Sequence, residues 1–317
     1  MRALLIVNPQ ATSTTRLRRD VIVRALASAV DLEVVQTRYR GDATGLAADA
    51  RCAGYGLILT LGGDGTVNEA INGILGAPGA LAGDSLPPAA SRPALAPLPG
   101  GSANVFTRAL GLPADPVDAA GWILQALADG RRRDIGVGLA GDRYFAFNAG
   151  LGFDAEVVRA VEGQRAHGRT VTPALYARTA VRQFYLRTDR GRPTLTLERA
   201  GHPPAGPFFV GIVSNTAPWT YLGRRPVNTN PQAAFDCGLD VFAVRSLHTY
   251  ATLRTLRQML SAGGPRARGR SVLTGHDEAA LAFEAARPVA FQVDGEYMGE
   301  RERVRFTSIP KALSVIV

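Results

Sequence analysis

Lysine is almost missing from this chain. Of its 36 Lys and Arg residues only Lys311 is a lysine, which leaves 35 arginines. That scarcity excludes a Walker A loop, whose lysine follows the glycines, and the strand lysine of the protein kinases. A Schiff-base enzyme would be left with Lys311, in a short C-terminal strand. Cysteine is as scarce: Cys52 and Cys237 cannot build a four-cysteine zinc site or a disulfide framework. The histidines, His167, His202, His248 and His276, show no metal-ligand spacing. No run approaches the roughly 18 apolar residues of a membrane span. Residues 1–9 turn polar too early for a signal peptide, so a cytoplasmic location is the expectation. Glycines, hydroxyls, carboxylates and arginines remain to do the chemistry.

What is present points to a globular chain. Its 317 residues suggest about two domains at roughly 150 residues each. With 46% hydrophobic and 20% charged residues it can bury a sizeable core. The formal charge of +9 fits polyanionic company, such as nucleotide phosphates, an anionic membrane surface or nucleic acid; it also fits an arginine-rich genome.

Residues 1 to about 130 alternate strands with helical patterns. Strands are expected over 3–7, 32–37, 57–61 and 94–98. Ile22, Ala25, Leu26 and Ala29 recur at helical spacing, as do Val67, Ala70, Ile71 and Ile74. Further helices are expected near 44–51, 103–110 and 117–128, with Trp122 as a packing residue. This alternation predicts an α/β domain of three layers built on a mostly parallel sheet, with ligands at the carboxyl ends of the strands. The Gly-, Ala- and Pro-rich residues 76–93 read as a surface loop. Past Arg131 the pattern changes to a hairpin over 135–148 and strand-like runs at 194–198, 208–214, 239–244, 289–293 and 303–306. A mostly antiparallel, β-sandwich-like second domain is therefore expected over 132–302, with 303–317 returning to the first domain, 1–131.

The strongest local signal is Leu61-Gly62-Gly63-Asp64-Gly65-Thr66-Val67-Asn68-Glu69, between a strand and a helix. Glycines let the backbone approach a phosphate, and a helix N-terminus turns its N–H groups toward it. Asp64 adds a carboxylate suited to an accompanying Mg²⁺. A plainer reading makes Thr66 and Glu69 a capping box and the glycines a turn.

This loop resembles the GGDGT loop of the diacylglycerol kinase catalytic domain, shared with sphingosine and ceramide kinases and bacterial lipid kinases. Four more matches follow in the family's order. They are Asn8-Pro9, Leu98-Pro99-Gly100-Gly101-Ser102-Ala103-Asn104, Asn148-Ala149-Gly150-Leu151-Gly152-Phe153-Asp154 and Asp294-Gly295-Glu296. The resemblance implies ATP- and Mg²⁺-dependent phosphoryl transfer to a lipid hydroxyl, with diacylglycerol or a similar lipid as acceptor. The first domain would bind ATP and the second the lipid. Asn8, Thr37, Gly62, Gly63, Asp64, Gly65, Thr66, Glu69, Gly101 and Ser102 would form the nucleotide site. Asp294 and Glu296 would be catalytic carboxylates, with Asp64 a rival base. Asp64 would serve the catalytic Mg²⁺. Asp236 and Asp240, in Phe235-Asp236-Cys237-Gly238-Leu239-Asp240, look like the motif where bacterial members hold a structural Mg²⁺. The chain departs from the family at Ser102-Ala103-Asn104-Val105, where many members carry an acid after the asparagine.

Two other readings share these residues: a kinase for a soluble substrate such as NAD, and a non-catalytic nucleotide- or nucleic-acid-binding protein. Against the last, there is no aromatic-rich RNA motif or helix-turn-helix signature. Residues 217–223, around Trp219, could wall a lipid pocket or simply form a loop. Two basic stretches are candidates for a peripheral contact with the inner face of an anionic membrane. Residues 165–192 carry seven arginines and one acid, with Arg178 and Arg182 on one helix face. Residues 241–276 carry six arginines and no acid, with Leu253, Leu256 and Leu260 as an apolar stripe. Either could equally be a helix packing its leucines inward. Oligomeric state is not written in the sequence.

Overall fold

The structure, a computed structural model, describes residues 1–11, 15–79, 86–167, 172–261 and 267–317. Residues 80–85 of the expected surface loop, and Arg169 and Arg266 of the basic stretches, lie outside the described residues. The chain divides into two compact units, one of residues 1–137, 142–144 and 310–317, the other of 138–141 and 145–309.

The first unit alternates β1 (Arg2–Val7), α1 (Arg16–Ala27), β2 (Asp31–Gln36), α2 (Asp42–Cys52), β3 (Leu57–Gly62), α3 (Asp64–Leu75), β4 (Ala94–Pro99), α4 (Val105–Ala109) and α5 (Pro116–Ala128). The strands run parallel in the order β2-β1-β3-β4. Strands β1, β3 and β4 are buried nearly end to end, which is why they read as unbroken apolar runs rather than alternating ones. Ala3, Leu5, Val7, Leu57, Leu59 and Leu61 pack on Ile22 and Leu26 of α1 and Ile123 of α5. Intervening residues such as Leu4, Ile6 and Ile58 are buried too, so both faces of the sheet are covered. Trp122, expected to pack, is half exposed beneath the Arg131 guanidinium, 5.2 Å from its ring centre.

The second unit comprises the end of β5 (Arg133–Ala140), the end of β6 (Arg143–Phe145), β7 (Asn148–Gly152), α6 (Phe153–Ala166), α7 (Pro173–Leu186), β8 (Leu195–Arg199), β9 (His202–Phe208), β10 (Val210–Ser214), β11 (Thr220–Leu222), β12 (Arg225–Val227), β13 (Leu239–Val244), α8 (Thr249–Met259), β14 (Val272–Glu278), β15 (Ala280–Val293) and most of β16 (Glu296–Val315). Pairing is antiparallel in the order β14-β13-β10-β7-β15. Strand β15 is shared: residues 281–285 pair with β8, residues 291–293 with β7, and a register shift separates the two parts. Phe145, Phe283 and Phe306 fill the apolar core, their rings edge to face.

Several expected strands differ in extent. The run 208–214 is two strands broken at Phe209, and 289–293 and 303–306 are pieces of the long β15 and β16. The expected separate last strand is the end of β16; residues 310–317 fall in the first unit, where Val315 pairs parallel with Leu95. Among the described residues no helix is long and apolar enough to cross a membrane.

Candidate active site

In the first unit the strand order reverses between β1 and β3, and an open α/β sheet binds its ligand in the crevice at such a point. The residues there are Asn8, just past β1, and the loop from Gly62 to Thr66. Asn8 N donates to Leu61 O at 2.9 Å, which holds the two strand ends together. Asn8 Nδ2 donates to Thr66 Oγ1 at 3.3 Å, while Asn8 Oδ1 accepts from Gln10 N at 2.9 Å. Thr37 follows β2, its N–H donating to Val7 O at 2.9 Å. A cavity of about 240 Å³ opens beside Asn8, lined also by Arg16, Arg19 and Gln36.

The two glycine loops run against each other, with Gly100 N donating to Gly62 O at 2.7 Å. A Cβ on Gly101 would come 2.7 Å from Gly63 Cα, whereas a Cβ on Gly63 would meet nothing nearer than 3.4 Å. Gly101 is thus required by the fold, whereas the fold leaves room for a side chain at Gly63. Gly63 is the N-cap of α3 and closes it with no side-chain hydrogen bond, leaving that helix end suited to an anion. Gly65 and Thr66 lie in the first turn. Asn104, at φ 49°, curls the second loop by donating to Gly101 O at 2.7 Å and accepting from Gly101 N at 2.8 Å. Ser102 is left exposed at the tip.

Asp64 ties the loops together. Its Oδ2 accepts from Val105 N at 3.0 Å and its Oδ1 from Phe106 N at 3.1 Å, at the start of α4. Burial pushes its carboxyl above the ordinary value, against the pull of these N–H groups and of Arg108. A carboxylate has about four acceptor sites, and these two hydrogen bonds use two of them.

The capping-box reading does not hold. Glu69 turns to α2, accepting from Gly41 N at 2.7 Å and Ala43 N at 3.1 Å. The reason is that Gly41, the N-cap of α2, has no side chain to do this. Both Glu69 carboxylate oxygens thus serve the start of α2. Two residues not singled out from sequence complete this side of α3. Arg143 Nε donates to Asn68 Oδ1 at 2.9 Å, and Tyr144 N donates to Asn72 Oδ1 at 3.0 Å. Asn68 and Asn72 recur four apart on a helix, which was the available signal.

In the second unit, Asp294 and Gly295 form the two-residue turn between β15 and β16, with φ 47° and 78°. This is the Asp-Gly hairpin geometry. The Asp294 side chain is buried. Its Oδ2 accepts from Ala146 N at 2.7 Å, and its Oδ1 accepts from Phe147 N at 3.0 Å and Asn148 N at 3.1 Å. Glu296 begins β16 and is partly exposed. Gln292 Nε2 bridges Asn148 Oδ1 at 3.0 Å and Asp154 Oδ2 at 2.8 Å. Burial raises the Asp154 carboxyl to about 6, the Gln292 hydrogen bond opposing it. Burial, then the charges of Asp154 and Glu162, push the Tyr176 hydroxyl up.

The expected structural metal residues show no metal centre of side chains. Asp240 is fully buried, and its Oδ1 takes His276 Nδ1 at 2.6 Å and Asp277 N at 3.1 Å. Among the described residues no three His, Cys, Asp or Glu side chains converge as a cation site, around Asp236 or elsewhere.

The reversed sheet, the open helix end and the paired glycine loops define an α/β protein with a crevice suited to an anionic ligand. Residues 2–140, less than half of the chain, match the family model of the diacylglycerol kinase catalytic domain. It is 36% identical over 153 residues to a YegS-like lipid kinase of Chromohalobacter salexigens, covering 48% of this chain and 44% of that protein. It is 32% identical over 146 residues to a diacylglycerol kinase of Staphylococcus epidermidis, covering 45% and 41%. The chain thus spans less than half the length of these two relatives. A longer alignment, with a Staphylococcus aureus diacylglycerol kinase, is 26% identical and covers 94% and 87%. The fold is also that of a Bacillus anthracis diacylglycerol kinase structure, with a TM-score of 0.71, 22% identity, and coverage of 99% of this chain and 96% of that one.

Proposed function

We propose that the protein is a lipid kinase that transfers the γ-phosphoryl group of ATP to a lipid hydroxyl, diacylglycerol being the first acceptor to test. The observation that carries this is the Asn8–Thr66 hydrogen bond at the reversal of the sheet, beside the bare Gly63 and the open end of α3. Phosphoryl transfer asks for positioning and charge neutralisation more than for covalent catalysis. Gly63 lets the phosphates approach the backbone, the first turn of α3 turns N–H groups to them, and Asn8 and Thr66 fix their place. Arg16 and Arg19 supply positive charge to the adjoining cavity. A bound Mg²⁺ would neutralise the phosphate oxygens, and Asp64 is the carboxylate proposed to hold it. The proton of the acceptor hydroxyl is assigned to the Asp294–Glu296 hairpin. The lipid acceptor itself rests on the names of the relatives.

The test is incubation with labelled ATP, Mg²⁺ and a panel of diacylglycerol, a sphingoid base and NAD, followed by identification of the labelled product. Labelled phospholipid is the expected outcome. Label on NAD, or on nothing, would overturn the proposal.

A further inference from the structure

Helix α8 is built inside out. It buries Thr255 and Met259, the latter against Val227, Phe242 and Leu247. Toward solvent it presents Tyr250, 82% exposed, Leu253, 60%, and Leu256, 41%, with Arg254 and Arg257 exposed among them. A helix that only covers a core would bury its leucines and solvate its threonines.

The β11–β12 hairpin extends this face. Arg225 Nε and Nη2 donate to Leu260 O at 3.0 and 2.6 Å, and Asn228 N donates to Met259 O at 2.8 Å. The hairpin turn exposes Leu222, at 46%. The hairpin thus abuts the C-terminal end of α8 and adds an exposed leucine beside it, and residues 241–276 contain no acid.

We infer that this face of α8 and the β11–β12 hairpin docks on an anionic lipid bilayer. A membrane is the occupant whose chemistry matches: acyl chains take the exposed Leu and Tyr side chains, and anionic headgroups take the arginines. The occupant rests on the lipid-kinase reading. Docking here would also serve the proposed acceptor site. Trp219, at the head of the hairpin, accepts at its carbonyl from Asn148 Nδ2 at 2.8 Å, and Asn148 N donates to Asp294.

Helix α7 is the rival, since Arg178, Val181, Arg182, Tyr185 and Leu186 are exposed there. Its Tyr185 ring already carries the Arg190 guanidinium, 5.3 Å from its centre, and Asp189 follows closely. Residues 217–227 and 241–276 contain no acid.

The experiment is co-sedimentation with vesicles of phosphatidylcholine mixed with phosphatidylglycerol, against pure phosphatidylcholine, at low and high salt. An arginine near an anionic surface is worth about fivefold in binding. Arg254→Glu with Arg257→Glu should therefore weaken binding to the anionic vesicles by about tenfold or more. Leu253→Ser with Leu256→Ser should weaken it at high salt as well, where charge is screened. Both pairs are exposed, and unchanged thermal melts would show that the fold is kept.

Wild-type binding by these variants would overturn the inference. So would a loss confined to Arg178→Glu with Arg182→Glu, or a wild-type protein that ignores anionic vesicles. A second assay uses short-chain diacylglycerol dissolved as monomers, on which the α8 variants should turn over like the wild type. If the wild type sediments as expected but phosphorylates no lipid, the docking face stands and the kinase reading fails.

Discussion

Gly63 and Gly101 lie back to back with unequal room around them. A methyl group on Gly101 would be forced to within 2.7 Å of Gly63 Cα, while one on Gly63 would sit at an ordinary 3.4 Å from Gly101 Cα. Gly63 also has φ −84° and ψ −177°, a backbone any residue can adopt. The asymmetry separates a glycine whose side chain the fold excludes from one at which a side chain would fit.

Gly63→Ala should accordingly fold and melt like the wild type but lose most of its thermal stabilisation by Mg²⁺–ATP, because the methyl group occupies the path of the phosphates. Gly101→Ala should lower the melting temperature without any nucleotide present. Melts with and without ATP measure both. If Gly63→Ala gains as much from ATP as the wild type, the phosphates do not approach at Gly63.

Glu69 gives the opposite case, a motif residue turned to the fold. Both its oxygens accept N–H groups at the start of α2. Glu69→Ala leaves those groups without their acceptor and should cost about 1–2 kcal/mol, the value of a lost cap. Denaturant unfolding measures the loss. The ATP dissociation constant should stay near that of the wild type, and a large rise without loss of stability would put Glu69 back in the nucleotide site.

Much of the first unit was legible from sequence because β1, β3 and β4 are covered on both faces. Composition alone then marks them, and β1 to β4 fall within one residue of their expected bounds. The second unit was less legible for a physical reason. Residues 280–306 form a ribbon that exposes Glu284, Arg287, Glu300, Arg301 and Arg303, so charge hid the length of β15 and β16. Strand β9 contains Pro203, Pro204 and Pro207 and pairs only with β8, the edge position that tolerates proline. The site was legible as motifs, since Asn8, Thr66 and both glycine loops are assembled in the first unit. Which partner each acid holds was not, because Asp64, Glu69 and Asp294 all bond to backbone distant in sequence.

Asp294 and Glu296 can be told apart by substitution. Asp294 already accepts from three backbone N–H groups, whereas Glu296 begins a strand and is partly exposed. Asp294→Asn turns an amide donor against the 146–148 backbone and should destabilise the protein by about 1–3 kcal/mol. Glu296→Gln should leave the melting temperature near the wild type. Loss of turnover in Glu296→Gln with ATP binding intact would identify the proton acceptor. Full turnover there, with loss in a folded Asp294→Asn, would assign the proton to Asp294 instead.

Asp154 should make stability depend on pH in an unusual direction. Burial raises its carboxyl from 3.8 to about 6, so the native state holds this proton more tightly than the unfolded chain does. The contribution is fully present below about pH 4 and is lost as pH rises through about 6. Above that, folding must bury a carboxylate that has the neutral Gln292 amide as its hydrogen-bond donor. A carboxyl raised this far contributes about 3 kcal/mol at most. Asn at this position can still accept from Gln292 Nε2 and carries no charge. Asp154→Asn should therefore flatten the stability profile between about pH 4 and 6 and exceed the wild type at about pH 8. Urea unfolding of both proteins across this range decides the matter. Parallel profiles would mean that Asp154 titrates no differently folded and unfolded, and that its burial is relieved by a partner other than Gln292.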